Sequence, residues 1–584
     1  MRLVLAIVSF VLAALMIGFG IAQRTVLATP DHITAAVTTS SDATVSVIDG
    51  ATLNSFDRGQ TIATEDSGTI VAAYGRTSDV MAWIGDASYN KLTFDPETQK
   101  LVSTLVPGSE AEVPDPTGSD LWQADYTQSK QLDFTINVPE DISVIIVSDG
   151  IKPAPAAVSV TWLLDNSTPF AGPLVVAGAI VLLLGLGFLL WAVNHVRRSR
   201  GPRRKQPKLP KVPKKATYKP VKRGSRPPAI THGRRSASMV AVPAILVGAL
   251  LLSACTVDTP TTLENGTAIE MAATGDPSDV PEGQSTLDIP AVTEPQAKRI
   301  VTRISAAVTE ADTTLDPVLA ATRLDGPALA LRTANYLVRK VDAAYPAPAV
   351  IPPKTVVVTL PQQNDSWPRT VFVVVQDGLV VAPQALMLIQ EDPRSQYKVE
   401  YAMALEPGVK VPGVASASIG TNRLAGDVKY FTMAPTDIGL AYGDILIKDV
   451  DSEFNDLFEA EGDTLRVAVG KADKAVRASK IPVTAQLTFS QVAGAGQVIV
   501  LGTSDSGAIV AVELIESETI KPVEAGAAVN APPDVAALIG KSASAKGLSA
   551  NYGDQLLFYV PSAAAGGKII LLGYSTGLIA ASEL

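Results

Sequence analysis

Two uncharged stretches constrain this chain more than anything else in it: Leu3 to Ala22, twenty residues, and Ala171 to Val193, twenty-three residues. Each is long enough to cross a hydrocarbon core of about 30 Å as a helix. Arg2 and Arg24 bracket the first, and no small-residue cleavage site follows Ala22. It therefore reads as a retained signal anchor over residues 1–22, with a removed signal peptide as the alternative. The second, over 169–194, has Trp191 near one end and Trp162 shortly before the other, as aromatic anchors at both interfaces would be.

The charge distribution orients these segments. Residues 197–235 hold 16 of the 48 basic residues and no acid, beginning Arg197, Arg198, Arg200, Arg203, Arg204, Lys205. By the positive-inside rule this side is cytoplasmic, which places residues 23–168, with seven bases against twenty acids, outside. Seven prolines in the same basic run prevent helix formation, so 195–238 reads as an extended cytoplasmic linker lying against an anionic leaflet. Tyr218 is its only aromatic residue. Nucleic-acid binding by base stacking is therefore not expected.

A third apolar segment, Met239 to Ala254, is sixteen residues long, follows Arg234 and Arg235, and ends in Leu252, Ser253, Ala254, Cys255. Basic residues, a short apolar run and Leu-Ser-Ala-Cys resemble a bacterial lipoprotein signal with its lipobox. That resemblance implies diacylglycerol on Cys255 and cleavage before it. The sole cysteine of 584 residues falls where such a signal requires one, whereas a plain third helix would have no use for it. The segment is unusual in lying mid-chain. Cleavage, internal translation from Met239 and an intact fusion all remain open, and all put residues 256–584 outside. The Ala- and Val-rich composition is similar to that of actinobacterial envelope membrane proteins.

Outside the membrane, turn signals separate short alternating runs over 23–168: Ala43–Ile48, Thr69–Tyr74, Val80–Ile84, Lys91–Phe94, Gln131–Val138, Ile142–Val147 and Ala156–Leu164. This spacing predicts a β-sandwich. Residues 255–292, with seven acids and no base, form a flexible tether reaching about 35 Å. Beyond it, Ile300, Ile304 and Val308 predict a helix, a second starts at Pro327, and strands follow to Leu405. From near Thr436 the order repeats, with an acidic amphipathic stretch at Asp449–Ala460, a helix over Thr464–Ala478 and strands to Leu572. Helices followed by a curved antiparallel sheet, twice, define α+β domains at 293–425 and 426–584. That order resembles the NTF2-like and cystatin-like superfamilies, which implies a binding or scaffold module. The expected fold class is thus a membrane-anchored multidomain protein: an extracytoplasmic β-sandwich and a tandem α+β unit, with two to three transmembrane or signal helices.

The scarce residues exclude much chemistry. One cysteine permits no intrachain disulfide, and the histidines are His32, His195 and His232, leaving no imidazole after residue 232. No catalytic, cofactor-binding or metal-binding residue is assigned. Asp449, Asp451 and Glu453 have the spacing that opens a calcium loop, but Phe454 stands where that loop needs glycine. Ser395 and Lys398 match a serine–lysine spacing without its partner motifs. Gly494, Gly496 and Gly502 read as turn residues, and Trp83 and Trp122 as core rather than a sugar-stacking surface. The expected role is an extracytoplasmic, membrane-anchored binding or scaffold protein of the cell envelope, its partner an envelope protein or glycan. The alternative is a glycan-processing enzyme working through paired carboxylates, one with a raised pKa.

Overall fold

The computed structural model describes the chain except residues 28, 29, 57, 200–289, 354, 355 and 379–381. Cys255, Leu252, Ser253, Ala254, Arg200, Arg203, Arg204, Lys205, Arg234 and Arg235 therefore lie outside the described residues, as do Leu379, Val380 and Val381 of an expected strand. Among the described residues two helices are long and apolar enough to cross a membrane: α1 (Arg2–Arg24) and a second spanning Ala171–Ser199. The chain divides into two compact units, one made of residues 1–15 with 177–285, the other of 16–176 with 286–584. In the first, Gly185 packs so closely that an added Cβ would sit 3.1 Å from Ser9; small residues let helix backbones approach where no hydrophobic effect drives them together. Leu5, Leu12, Leu183, Leu186 and Leu190 point outward and are exposed. Arg197 and Arg198 close the second helix in its last turn.

The larger unit opens with eight strands: β1 (His32–Thr38), β2 (Val45–Ile48), β3 (Gln60–Arg76), β4 (Tyr89–Asp95), β5 (Lys100–Val106), β6 (Ala124–Ile136), β7 (Ile142–Val147) and β8 (Ala157–Leu163). They do not form the expected sandwich. All belong to one sheet, ordered β1-β8-β3-β7-β2-β4-β5, with β6 on the free edge of β3 and a parallel pairing of β2 with β4. The reason is the length of β3. Asp66-Ser67-Gly68, which reads as a breaker, is accommodated as a register shift between Glu65 and Thr69 inside a seventeen-residue strand. Its first part pairs with β8 and its last with β7, which joins what would otherwise be two sheets. The sheet curls around Trp162, whose ring meets Phe56 and Phe94 at 5.5 and 5.0 Å. On β7, Val144 and Ile146 face that core while Ile145 and Val147 face a second one, so this central strand is apolar on both sides.

The expected strand Val80–Ile84 is a helix instead, α2 (Thr77–Ile84). Val80, Trp83 and Ile84 fall at i, i+3, i+4 and are buried, Asp79 sits in the first turn, and Gly85 at φ 63° ends it. With the apolar span Ala171–Ser199 as α3, the C-terminal half begins at α4 (Glu294–Thr314), whose capping box pairs Thr293 with Gln296. There follow α5 (Gly326–Val341), β9 (Val356–Pro361), β10 (Arg369–Val375), β11 (Gln384–Gln390) and β12 (Lys398–Leu405). The second pass is α6 (Pro435–Lys448), α7 (Thr464–Val469), α8 (Lys471–Ser479), β13 (Ala485–Ala493), β14 (Ile499–Gly502), β15 (Ala508–Pro522), α9 (Pro533–Ile539), β16 (Leu548–Val560) and β17 (Ile570–Glu583).

Nine strands form one sheet across both passes, ordered β13-β15-β16-β17-β12-β11-β10-β9 with β14 beside β15. The halves join through two residue pairs, Ala404 with Tyr574 and Leu405 with Gly573. Strand alternation then decides the layers. In β10, Val371, Val373 and Val375 face Ile300, Ile304 and Val308 of α4. Phe372 and Val374 face the other way, packing with Ile499, Ile509 and Leu557 of the second half. On the far side Val510, Val512 and Phe558 receive Ile438, Tyr442 and Ile445 of α6. The result is helices, half-sheet, half-sheet, helices. The stretch Asp449–Ala460 holds two short 3₁₀ turns, and Gly470 divides the helix expected over Thr464–Ala478.

Candidate functional site

One stripe of α4 buries Ile300, Ile304 and Val308; another, at i, i+3, i+7, carries Gln296, Arg299 and Arg303. That polar stripe is turned toward another part of the chain, with Gln296 buried and Arg299 and Arg303 half-buried. It meets residues 118–123 of the N-terminal β-domain, and six consecutive carbonyls accept hydrogen bonds from it. Gln296 Nε2 donates to Asp120 O and Leu121 O at 2.7 and 3.0 Å. Arg303 Nη1 donates to Gly118 O and Ser119 O at 2.9 and 3.1 Å. Arg299 Nη2 donates to Trp122 O at 2.9 Å and to Gln123 O. Backbone carbonyls withdrawn from water need such donors.

Two buried carboxylates complete this seam. The Asp120 side chain is fully buried, takes Arg303 Nη1 at 3.2 Å, pairs with Arg323, and accepts the Tyr397 amide at 3.0 Å. Asp79, in α2, is held by Arg76 at 2.9 Å and by Arg369 at 2.7 Å, while Arg76 reaches Asp365 at 2.9 Å. Nearer the surface, Arg394 donates to the carbonyls of Trp83 and Ile84, each at 2.8 Å, and pairs with Glu110 at 2.7 Å. A cavity of about 390 Å³ lies along the seam, lined by Arg76, Asp79, Gln123 and Asp141 on one side and by Thr293, Gln296 and Ser416 on the other.

A second cavity, about 400 Å³, opens between β12 and the loop before β14, with Asp325, Glu391, Ser395, Lys398, Glu400 and Gln497 in its wall. Asp325 is there because it caps α5, accepting the Gly326 amide at 3.0 Å. Lys398 Nζ lies 3.3 Å from it. Glu400 is buried against Gly326, where a Cβ would fall 2.4 Å from its carboxylate. Burial raises the Glu400 pKa above the usual carboxylate range; Asp325, Glu391 and Glu513 add to the rise, and the Gln497 amide opposes it. Glycine at 496 is required by this wall, since a Cβ would sit 2.5 Å from Tyr401 Oη and 2.6 Å from Pro327 Cγ.

Residues 288–583, just over half of the chain, match a family model described as a domain of unknown function, DUF8094. The chain belongs to the DUF8094 family. No curated protein and no solved structure matches it. The DUF8094 match spans both passes of helices and strands, in keeping with the single sheet that joins them, and excludes the β-domain on the other side of the seam.

Within the DUF8094 region the residues singled out in sequence take plain roles. Ser395 Oγ bonds Asp392 while Lys398 pairs with Asp325, so both line the acidic cleft but neither activates the other. Asp451 pairs with Lys471 at 2.5 Å, and among the described residues no group of His, Cys, Asp and Glu is arranged to hold a metal ion. Gly494 lies against Glu513, whose carboxylate accepts the Gly496 amide at 2.9 Å. In the β-domain Trp83 and Trp122 are buried edge to face at 5.3 Å. What sequence reading missed is the seam. The one available signal was an amphipathic helix whose polar stripe repeats amide and guanidinium groups at helical spacing.

A third polar group is buried beneath α8. Lys474 pairs with Glu516 at 2.6 Å, both side chains nearly inaccessible, and Gln491 Nε2 donates to the same carboxylate at 2.9 Å. Asp554, on the neighbouring strand, has one carboxylate oxygen without a hydrogen-bond partner. Burial pushes its pKa up to about 7, Thr576 and Lys474 pulling against the rise and Glu516 and Glu513 adding to it.

Proposed function

We propose that this is a membrane-anchored binding or scaffold protein of the bacterial cell envelope, whose β-domain and DUF8094 domain stand together on the outer face as one body. The observation that carries the reading is the seam. Carboxylates as buried as Asp79 and Asp120, paired with arginines from the other domain, support a shared compartment for both domains, because an unpaired buried charge costs several kcal/mol. Helices α1 and α3 bracket the β-domain in sequence, and the basic run after α3 supports a cytoplasmic linker. In this reading the apolar segment Met239–Ala254 is the point of return to the outer face, as a third span or as a lipoprotein signal ending at Cys255. The envelope partner is a protein or glycan. A phosphatase reporter that folds only under oxidising conditions, fused after Leu584, tests this: activity in intact cells supports the reading, and an inactive phosphatase together with an active cytoplasm-dependent reporter fused at the same position removes it.

A second reading, a glycan-processing enzyme, is favoured by one observation, the raised Glu400 beside Asp325 and Glu391 in a polar cleft. It would use Glu400 as the proton donor and a neighbouring carboxylate as its partner. Release of reducing ends from isolated cell-wall glycan, abolished by Glu400→Gln, is the result it requires.

A further inference from the structure

We infer that the seam is a self-sufficient docking surface, so that the DUF8094 domain stays bound to the β-domain after the chain between them is cut. The occupant of the β-domain face is residues 290–584 of this same chain. This rests on the reading that both domains share a compartment, and it goes further: processing before Cys255 would yield a two-chain complex and not two independent proteins.

Three features of the seam support this. First, six consecutive carbonyls, 118–123, are served by one helix stripe, Gln296, Arg299 and Arg303. That is backbone recognition of the kind used for bound peptides, in which main-chain bonds give affinity and side-chain pockets give selectivity. Second, the pairing is charge-complementary and runs mainly one way, with Arg76 to Asp365 the reverse pair. The β-domain supplies Asp79, Glu110, Asp120 and Asp125, and the DUF8094 domain supplies Arg303, Arg323, Arg369 and Arg394. Such an arrangement fixes orientation and suppresses wrong partners. Third, apolar burial accompanies it: Trp367 of the DUF8094 side packs into the cluster of Trp83, Ile84, Leu121 and Trp122 and carries Arg369 over its ring at 3.7 Å. A desolvated aromatic and arginine centre surrounded by polar contacts is the composition of association interfaces. None of these contacts uses the tether.

The experiment uses the full chain with a specific protease site inserted after Gly275 and an affinity tag after Leu584, extracted in detergent and cut to completion. The released fragment lacks both the apolar segment and Cys255, so a shared micelle cannot hold it. The β-domain fragment is expected to co-elute with the tagged DUF8094 fragment at moderate salt. Glu110→Arg, placing like charge against Arg394 at a half-exposed edge where folding is not at stake, is expected to weaken the complex by about tenfold and lower its retention, and Arg394→Glu in the same chain to recover part of that loss. A β-domain fragment in the flow-through after cutting the unaltered chain overturns the inference, as does equal retention of all three proteins. Failure of the compartment reading is seen separately: it changes the reporter result in cells and leaves the co-elution in detergent intact.

Discussion

Asp120→Ala is the substitution that loads the seam most heavily. The carboxylate is fully buried and serves Arg303, Arg323 and the Tyr397 amide. Removing it strands Arg323, whose side chain is only 11% exposed, as an uncompensated buried charge, for which about 3–5 kcal/mol is usual. Loss of the amide's acceptor falls within the same range once the loop relaxes. Taking about 4 kcal/mol, and an unfolding entropy of about 2.1 cal/mol/K per residue over a cooperative unit of roughly 460 residues, the melting temperature falls by about 4 °C. Calorimetry of the detergent-solubilised chain reads this directly, with Asp456→Ala, at an exposed turn, as the comparison. A shift of less than about 1 °C for Asp120→Ala would refute the claim that the two domains are locked by buried charge, and two separate transitions in the unaltered protein would refute it equally.

Asp554→Asn is expected to stabilise the protein at high pH. The folded pKa, raised to about 7 by burial, exceeds the unfolded value, so the folded state binds the extra proton between about pH 4 and 7 and stability falls as pH rises through that window. The substitution should flatten this part of the profile and add up to about 4 kcal/mol at pH 8; denaturant midpoints at pH 5 and pH 8 check it. Gly496→Ala forces a Cβ against Tyr401 Oη and Pro327 Cγ, costing about 1–3 kcal/mol, visible in the same assay and in loss of the Tyr401 Oη bond to Gln497 O. Lys398→Ala removes a pair whose partners are 37% and 54% exposed, and the midpoint should move by less than the equivalent of about 1 kcal/mol.

The elements that sequence reading recovers are those with one dominant period. The helices with Ile300, Ile304, Val308 and with Pro327, and the strands Ile142–Val147 and Tyr397–Leu405, appear within a few residues of their observed limits. Where two signals compete, reading fails for identifiable reasons. Val80–Ile84 is too short an apolar run to separate strand from helix. A turn triplet at Asp66-Ser67-Gly68 is absorbed as a bulge. Helix α6 carries Ile438, Ala441, Tyr442 and Ile445 at helical spacing, but the acidic stretch after it drew the assignment. The single sheet across both passes depends on two residue pairs near Ala404 and Leu405, a long-range contact that no local pattern encodes. The seam escapes for the same reason: Gln296, Arg299 and Arg303 look like a solvated face until the 118–123 carbonyls arrive from elsewhere in the chain.

The measurement that bears most directly on the central claim is labelling of intact cells with a membrane-impermeant maleimide. The chain would carry Cys255→Ala together with Thr104→Cys in the β-domain or Thr488→Cys in the DUF8094 domain, both at exposed positions, and Ser225→Cys in the basic linker as a third variant. The account predicts that Thr104→Cys and Thr488→Cys react in intact cells and that Ser225→Cys reacts only after permeabilisation. Reaction of one domain but not the other in intact cells would contradict it, because no seam of buried ion pairs forms across a bilayer.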